Sequence, residues 1–417
     1  MSKKRYCIAG ASSRGYYMYA ANIAGEQFKE NAELCGIYDI NIGRSRYVSD
    51  KTGVKIYEDF DEMLKTEKPE AVIVTTMDAF HSEYAVRSLT AGYDVITEKP
   101  MCITSGQAYA MLEAEKNSGK RIIVTHNMRY MPYILNIKKL ITEGKIGDIY
   151  NVNFEWNLVY NGHGTSYYRR WHGIMANSGG LLLTKSSHHF DCANWFIDSL
   201  PSKVFGFGKV SKYGKNGKFR GKSCRSCEHK TECEFYSDMT NYEFITEFYF
   251  DNEKYDGYIY DGCVFNEKID AYDTVNLAVQ YENNVSLSYT LNAAASYEGW
   301  RMTLNGSAGR LEIGHTATGD SRDSSEVIKY YSLDGKLEVI ETPPTPGVHG
   351  GGDIRLLNDI MFGRTDGDPF KQQADSVDGA AAVMIGAAAN ESIKTGKVVD
   401  VTELLGAELK SYKSYRK

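Results

Sequence analysis

The residues Gly10-Ala-Ser-Ser-Arg-Gly15 follow directly on a short apolar run, Arg5–Ala9. Glycine at the first position permits a tight turn, and glycine at the last lets a helix pack closely on the strand before it. Backbone N–H groups at the start of such a helix attract a pyrophosphate. Ser12 occupies the middle position and leaves less room there than glycine. The next apolar run, Glu33–Tyr38, ends at Asp39. A carboxylate at that place accepts the ribose hydroxyls of NAD and repels the extra phosphate of NADP. Ile40 follows it and Arg44 comes later, so NAD is the expected cofactor.

A second group is sulfur-rich. Cys224-Arg-Ser-Cys227 is followed by Cys233 and, further on, Cys263. A C-x-x-C pair with two more thiols suits a structural zinc or an iron–sulfur cluster, with free thiols or a disulfide as the alternative. Cys7, Cys35, Cys102 and Cys192 fall within strand or helix patterns and read as small core residues. Arg169-Arg170-Trp171-His172 offers donors for substrate hydroxyls, or for surface acids. His349-Gly-Gly-Gly-Asp353 is too glycine-rich for a core and suits a loop closing over a site.

The elements that must position these residues come in two textures. Arg5–Ala9, Glu33–Tyr38, Ala71–Thr76, Asp94–Glu98 and Arg121–Thr125 are strand-length apolar runs, separated by the amphipathic stretches Glu58–Lys65, Ser82–Thr90 and Ser105–Asn117. That alternation predicts a doubly wound parallel sheet over residues 1–126, an NAD-binding Rossmann domain. From about Tyr150 the runs alternate: Tyr150–Leu158, Lys203–Val210, Glu243–Phe250, Thr274–Gln280, Val285–Leu291 and Arg301–Asn305. They predict an open, mostly antiparallel sheet with flanking helices in a substrate-binding α+β domain, 127–417. Two irregular insertions interrupt it, about 211–242 (with the cysteines) and Gly314–Gly352, and Gly379–Thr395 reads as a helix.

With 417 residues, 42% of them hydrophobic, the chain suits two globular domains. Its formal charge of −6 argues against nucleic acid, and its basic ending Lys410–Lys417 reads as a frayed tail. No apolar run approaches the length of a membrane span and no signal peptide is evident, so a cytoplasmic location is expected. Open sheets often hide one face in an oligomer, which suggests a homodimer or homotetramer.

Thr97-Glu98-Lys99-Pro100 closes the fourth run, and Ser178-Gly-Gly-Leu-Leu-Leu-Thr184-Lys-Ser-Ser-His188-His189-Phe-Asp191 lies in the second domain. Together with Gly10–Gly15 and Thr75-Thr-Met-Asp-Ala-Phe-His81, these motifs resemble the glucose–fructose oxidoreductase/inositol dehydrogenase (Gfo/Idh/MocA) family over nearly the whole chain. The resemblance implies hydride transfer between nicotinamide and a carbinol carbon of a carbohydrate. Arg14, His81 and Glu98 would belong to the cofactor site. Lys99 matches the family lysine that hydrogen-bonds the reacting oxygen, and His188 the histidine that serves as acid or base. Arg129, in Asn127-Met-Arg-Tyr130, falls where relatives line the nicotinamide pocket, although a packed domain junction accounts for it equally well.

The family aspartate four residues before the histidine is Thr184 here, and Lys185 and His189 flank the site. If Thr184–Trp195 is one helix, Thr184 and His188 share a face. Lys185 and His189 either change how protons are managed or serve as a cap and a packed ring. An NAD-dependent glycosidase or lyase, working by transient oxidation and elimination, is therefore a rival to the plain dehydrogenase. A non-catalytic NAD- or sugar-sensing protein is a second rival.

Overall fold

The computed structural model describes residues 3–405, except 321, 324, 325, 344, 365 and 366. The tail Lys410–Lys417 lies outside the described residues.

Six strands make the first sheet: β1 (Lys4–Ala9), β2 (Ala32–Tyr38), β3 (Ile56–Tyr57), β4 (Ala71–Val74), β5 (Asp94–Thr97) and β6 (Ile122–Val124). Their order is β3-β2-β1-β4-β5-β6, and all pairs are parallel. The Ala-Val-Ile-Val of β4 is buried at every residue, as befits a strand covered on both faces. The strand order reverses at β1, so the crevice at the carboxyl ends of β1, β2 and β4 is where a ligand belongs.

The second sheet has nine strands: β7 (Ile149–Val159), β8 (Pro201–Lys209), β9 (Thr274–Tyr281), β10 (Ser286–Ala295), β11 (Gly299–Gly306), β12 (Gly309–Thr316), β13 (Glu326–Ser332), β14 (Leu337–Thr342) and β15 (Val399–Asp400). The order is β14-β13-β12-β11-β7-β10-β9-β8-β15, with β7 and β10 parallel and the other neighbours antiparallel. Burial alternates along β9 and β10, leaving one face to solvent. Helix Ser376–Thr395 packs on β8, on helix Ser187–Ile197 and on helix Ser105–Ser118 after β5. A capping box from Asp375 and Asp378 starts it and Gly396, left-handed at φ 69°, ends it.

Three expectations are corrected. Glu243–Phe250 is not a strand: Glu243–Phe248 is a helix, whose Phe244 and Phe248 pack on Tyr16 and Tyr47. Their spacing of four residues is helical, and this contact outweighs the β propensity of the aromatics. Gly314–Gly352 is not wholly irregular, because β13 and β14 form a hairpin there, turning at Gly335 with φ 82°. Thr184–Trp195 is not one helix. Leu181–Thr184 ends in a tight turn, with the N–H groups of Lys185 and Ser186 both on the Leu181 carbonyl, and a new helix starts at Ser187. Among the described residues no helix is long and apolar enough to cross a membrane.

Candidate active site

A cleft of about 430 Å³ opens along the carboxyl edge of the first sheet. Gly10, at φ 105°, makes the turn after β1, and a Cβ there would come within 2.6 Å of the Thr75 carbonyl carbon and the Thr76 nitrogen. At Gly15 a Cβ would lie 2.6 Å from Thr75 Oγ1. Both glycines are therefore required by close approach of the loop to β4. Ser12 Oγ accepts a hydrogen bond from Gly15 N at 3.0 Å, so the serine at the middle position closes the turn.

Asp39 Oδ2 accepts from Ala11 N (2.6 Å), while Oδ1 accepts from Asn41 N (2.6 Å) and from Arg44 Nη2 (3.1 Å). Asp39 lines the cleft and its Oδ2 keeps capacity to accept a further hydrogen bond, which fits a ribose hydroxyl. Arg44 also pairs with Asp256 at 2.7 Å, so one guanidinium is held between two carboxylates. Asp256 belongs to the segment between β8 and β9, which also sends Tyr249, Tyr258 and Tyr260 into the cleft wall.

Arg14 joins the two halves of the molecule. Its Nε donates to Glu98 Oε1 (2.8 Å), and Nη1 and Nη2 grip both oxygens of Asp353 (2.7 and 3.0 Å). Tyr19 OH donates to the same Glu98 oxygen, and Asn127 Nδ2 and His349 Nδ1 reach Asp353. Burial alone would raise the Asp353 pKa, but the bonds from His349 and Arg14 hold it well below the carboxylate range. The ring nitrogens of His81 lie 2.7 Å from the Pro100 carbonyl and 3.1 Å from that of Thr76, tying together the loops after β4 and β5.

At the far end, Lys99 follows β5 and its Nζ donates to the Thr184 carbonyl at 2.9 Å. Burial lowers its pKa, against the attraction of Asp78 and Glu98. His188, on the first turn of helix Ser187–Ile197, is pushed well below the ordinary histidine value by burial, then by Lys99 and Lys185. Its Nδ1 is buried without a hydrogen-bond partner. Lys185 Nζ lies 4.8 Å from the centre of the Trp156 ring, and burial with the repulsion of Lys99 brings its pKa down to about 8. A lysine donor and a neutral imidazole thus flank one space, an arrangement suited to moving a proton at an alcohol or carbonyl oxygen.

Of the predicted residues, Gly10, Ser12, Arg14, Asp39, His81, Glu98, Lys99, Arg170, His172, Lys185, His188 and His349 line the cleft. Gly15 sits behind it. Two others are corrected. Arg129 is buried away from the cleft, bonded to both oxygens of Asp191 (2.8 and 2.6 Å) and to Asp378. It clamps helices, as a packed junction requires. His189 points to the other side of its helix, with Nδ1 2.7 Å from Tyr289 OH and its ring stacked on Trp156 at 4.0 Å. The sequence reading missed Asp78, Asp256, His163, Tyr167 and the tyrosines Tyr249, Tyr258 and Tyr260 between β8 and β9. The pair Tyr258-Ile-Tyr260 was the available signal for the last of these.

Cys224, Cys227, Cys233 and Cys263 do line one small cavity, of about 10 Å³, room for a single water-sized occupant. Among the described residues no group of three or more His, Cys, Asp or Glu is arranged to hold a metal ion. Zinc or an iron–sulfur cluster therefore finds no support. Arg169 Nη1 donates to Cys224 Sγ at 2.9 Å, placing a cation where a metal would have to approach.

A dinucleotide-binding sheet with a lysine and a histidine over its crevice defines a nicotinamide-linked oxidoreductase. Profiles described as "Oxidoreductase family, NAD-binding Rossmann fold" and "Oxidoreductase family, C-terminal alpha/beta domain" match residues 4–126 and 138–401, and the chain belongs to this Gfo/Idh/MocA family. YteT of Bacillus subtilis (strain 168), described as an oxidoreductase, is 33% identical over 96% of this chain and 98% of its own length. An inositol 2-dehydrogenase of Rubrobacter xylanophilus is 24% identical over 44% of this chain and 51% of its own length. Among solved structures, the WlbA dehydrogenase from Bordetella pertussis has a TM-score of 0.67 at 18% identity, covering 96% of this chain and 99% of that one. A levoglucosan dehydrogenase has a TM-score of 0.69 at 16% identity, covering 96% and 100%.

Proposed function

We propose that the protein is an NAD-dependent dehydrogenase or reductase acting at a carbinol carbon of a sugar, glycoside or cyclic polyol. The observation that carries this is the continuity of one cleft, from the ribose-accepting carboxylate of Asp39 to Lys99 and His188. NAD is favoured over NADP because Arg44, the cation nearest Asp39, is neutralised by that residue and by Asp256. Aromatic faces from Tyr167, Trp171, Tyr258 and Tyr260 suit the C–H surfaces of a sugar ring. Relatives named inositol 2-dehydrogenase and levoglucosan dehydrogenase point to the same substrate class.

When bound, the nicotinamide accepts or returns the hydride. Lys99, anchored on the Thr184 carbonyl, keeps N–H groups for the reacting oxygen and stabilises the charge that develops there. His188 is neutral and takes the hydroxyl proton during oxidation. The rival cleavage reaction loses His189, one of the two extra bases it called upon.

The test is turnover with NAD⁺ and a panel of levoglucosan, myo-inositol, aldoses and aryl glycosides, followed as NADH formation. Lys99→Met should lower kcat by roughly 10²–10⁴-fold, about 3–5 kcal/mol of transition-state stabilisation, with NADH binding nearly intact. A variant keeping more than about a tenth of the wild-type rate would remove Lys99 from this role. Cleavage of aryl glycosides without net NADH would instead establish the rival reaction.

A further inference from the structure

The acidic side chains of the cleft are mostly committed. Glu98 is held by Arg14 and Tyr19, and Asp39 and Asp256 are held by Arg44. Asp78 is different. It opens the 3-10 turn Asp78–Phe80 after β4, is 5% exposed, lines the cleft, and its Oδ2 reaches no hydrogen-bond donor. An orphan carboxylate oxygen in a buried wall is costly, and such costs gather where a site uses them.

Its surroundings say what that use is. Asp78 stands against the Thr184 side chain and is the strongest attractive charge acting on Lys99. β4 and β5 are neighbours, so their carboxyl ends bring Asp78 and Lys99 together, and the bond from Lys99 Nζ to the Thr184 carbonyl completes the group. The family pattern places an aspartate where this chain has Thr184. We infer that Asp78 is the carboxylate partner of Lys99, supplying from the first domain the charge that relatives supply from the second. Asp78 is thus a positioning residue: it sets the charge state of Lys99, which makes contact with substrate. The inference rests on the function proposed above for the catalytic role of Lys99.

A pH dependence follows. Burial pushes Asp78 up to about 7, against the pull of Thr184 and Lys99, with Glu98 adding repulsion. Tyr167 also faces it, with a pKa raised by burial. His172 and His188, the nearby imidazoles, lie well below the ordinary histidine value and stay neutral there. Asp78 is ionised above its midpoint and supports the Lys99 cation; below it the support is lost. Under the proposed pairing, the acid limb of kcat/KM near neutrality therefore belongs to Asp78 and not to His188.

The experiment has two arms on the NADH-loaded protein. In the first, which needs no substrate, ¹³C-carboxyl-labelled aspartate is titrated by NMR. Wild type should show a resonance titrating near pH 7 that is missing in Asp78→Asn, and Lys99→Met should move its midpoint upward. No such resonance, or a midpoint indifferent to Lys99→Met, overturns the pairing. In the second arm, with a substrate found as above, Asp78→Asn should lose the acid limb and about 10–100-fold in kcat/KM, with unchanged NADH affinity. Adding Thr184→Asp to Asp78→Asn should recover at least about tenfold, since it restores the carboxylate from the other side. An acid limb retained in Asp78→Asn, or no recovery in the double variant, overturns the assignment. If the first arm succeeds while no sugar or polyol turns over, the pairing stands and the proposed reaction fails.

Discussion

Asp39 and Arg44 illustrate how one residue's meaning depends on a distant second. Asp39 alone reads as a ribose ligand, and Arg44 alone as a candidate for a 2′-phosphate. In the NAD-dependent reading proposed above, Asp256 decides between them by taking up the second side of the guanidinium. Asp256→Ala should leave NADH binding within about threefold and tighten NADPH binding by roughly tenfold, about 1.4 kcal/mol. Fluorescence titrations of both reduced cofactors at matched ionic strength check this. A parallel change in the two affinities would show that Asp256 only shapes the wall. Neither Arg44–Asp256 nor Asp78–Lys99 was legible in the sequence, because the first joins chain segments far apart and the second arises only where the ends of β4 and β5 come side by side. Gly10, Gly15 and Asp39 were legible because their demands are local: a left-handed turn, a close approach and the end of a strand.

Among the elements, those whose periodicity is set by two-sided or one-sided burial were readable, and those set by a tertiary contact were not. β1, β2, β4, β5 and β6 are near-continuous apolar runs and were found within a few residues. The break between Leu181–Thr184 and Ser187–Ile197 has no glycine or proline to announce it. It is pinned by Tyr289, whose hydroxyl donates to Ser186 Oγ at 2.8 Å from the facing sheet. That break takes Thr184 off the helix that carries His188, and turns its side chain to Asp78 instead. The helix Glu243–Phe248 is a similar case. Its Phe248 is fully buried against Tyr16, Tyr47 and Tyr249, fastening the segment between β8 and β9 over the Asp39 end of the cleft. Phe248→Ala should cost about 3–5 kcal/mol in a packed site and weaken NADH binding, since Tyr249 and Asp256 flank the same cleft. Thermal unfolding and an NADH titration read the two effects. Lost stability with unchanged NADH affinity would show that the β8–β9 segment is fastened independently of the cofactor.

For the molecule as a whole, the two sheets meet around a polar junction, and that junction carries the pH response of the fold. His81, His126 and His188 are buried there and His189 behind them against the second sheet, and burial lowers the pKa of each. A histidine with a depressed folded pKa binds its proton more readily when unfolded, so its contribution is whole above about pH 6.5 and is lost as pH falls. Glu98 and Asp353, also depressed, act in the same sense at lower pH. Asp78 acts in the opposite sense. Its raised pKa gives a contribution that is whole below the unfolded value of 3.8 and is lost as pH rises through about 7. The four imidazoles outweigh Asp78 and Asp39, whose pKa burial also raises, each imidazole contributing up to about 1.4 kcal/mol per pH unit once the unfolded chain is protonated. The Tm of the cofactor-free protein should therefore fall steeply from about pH 6.5 to pH 5, well before ordinary carboxylates titrate. His189→Phe removes one of these imidazoles from a site already lined by Trp156 and Tyr289, and should flatten the slope. A Tm constant over that interval, or a slope unaltered in His189→Phe, would show that the buried histidines keep their protons in the folded state and that the junction is wetter than its packing indicates.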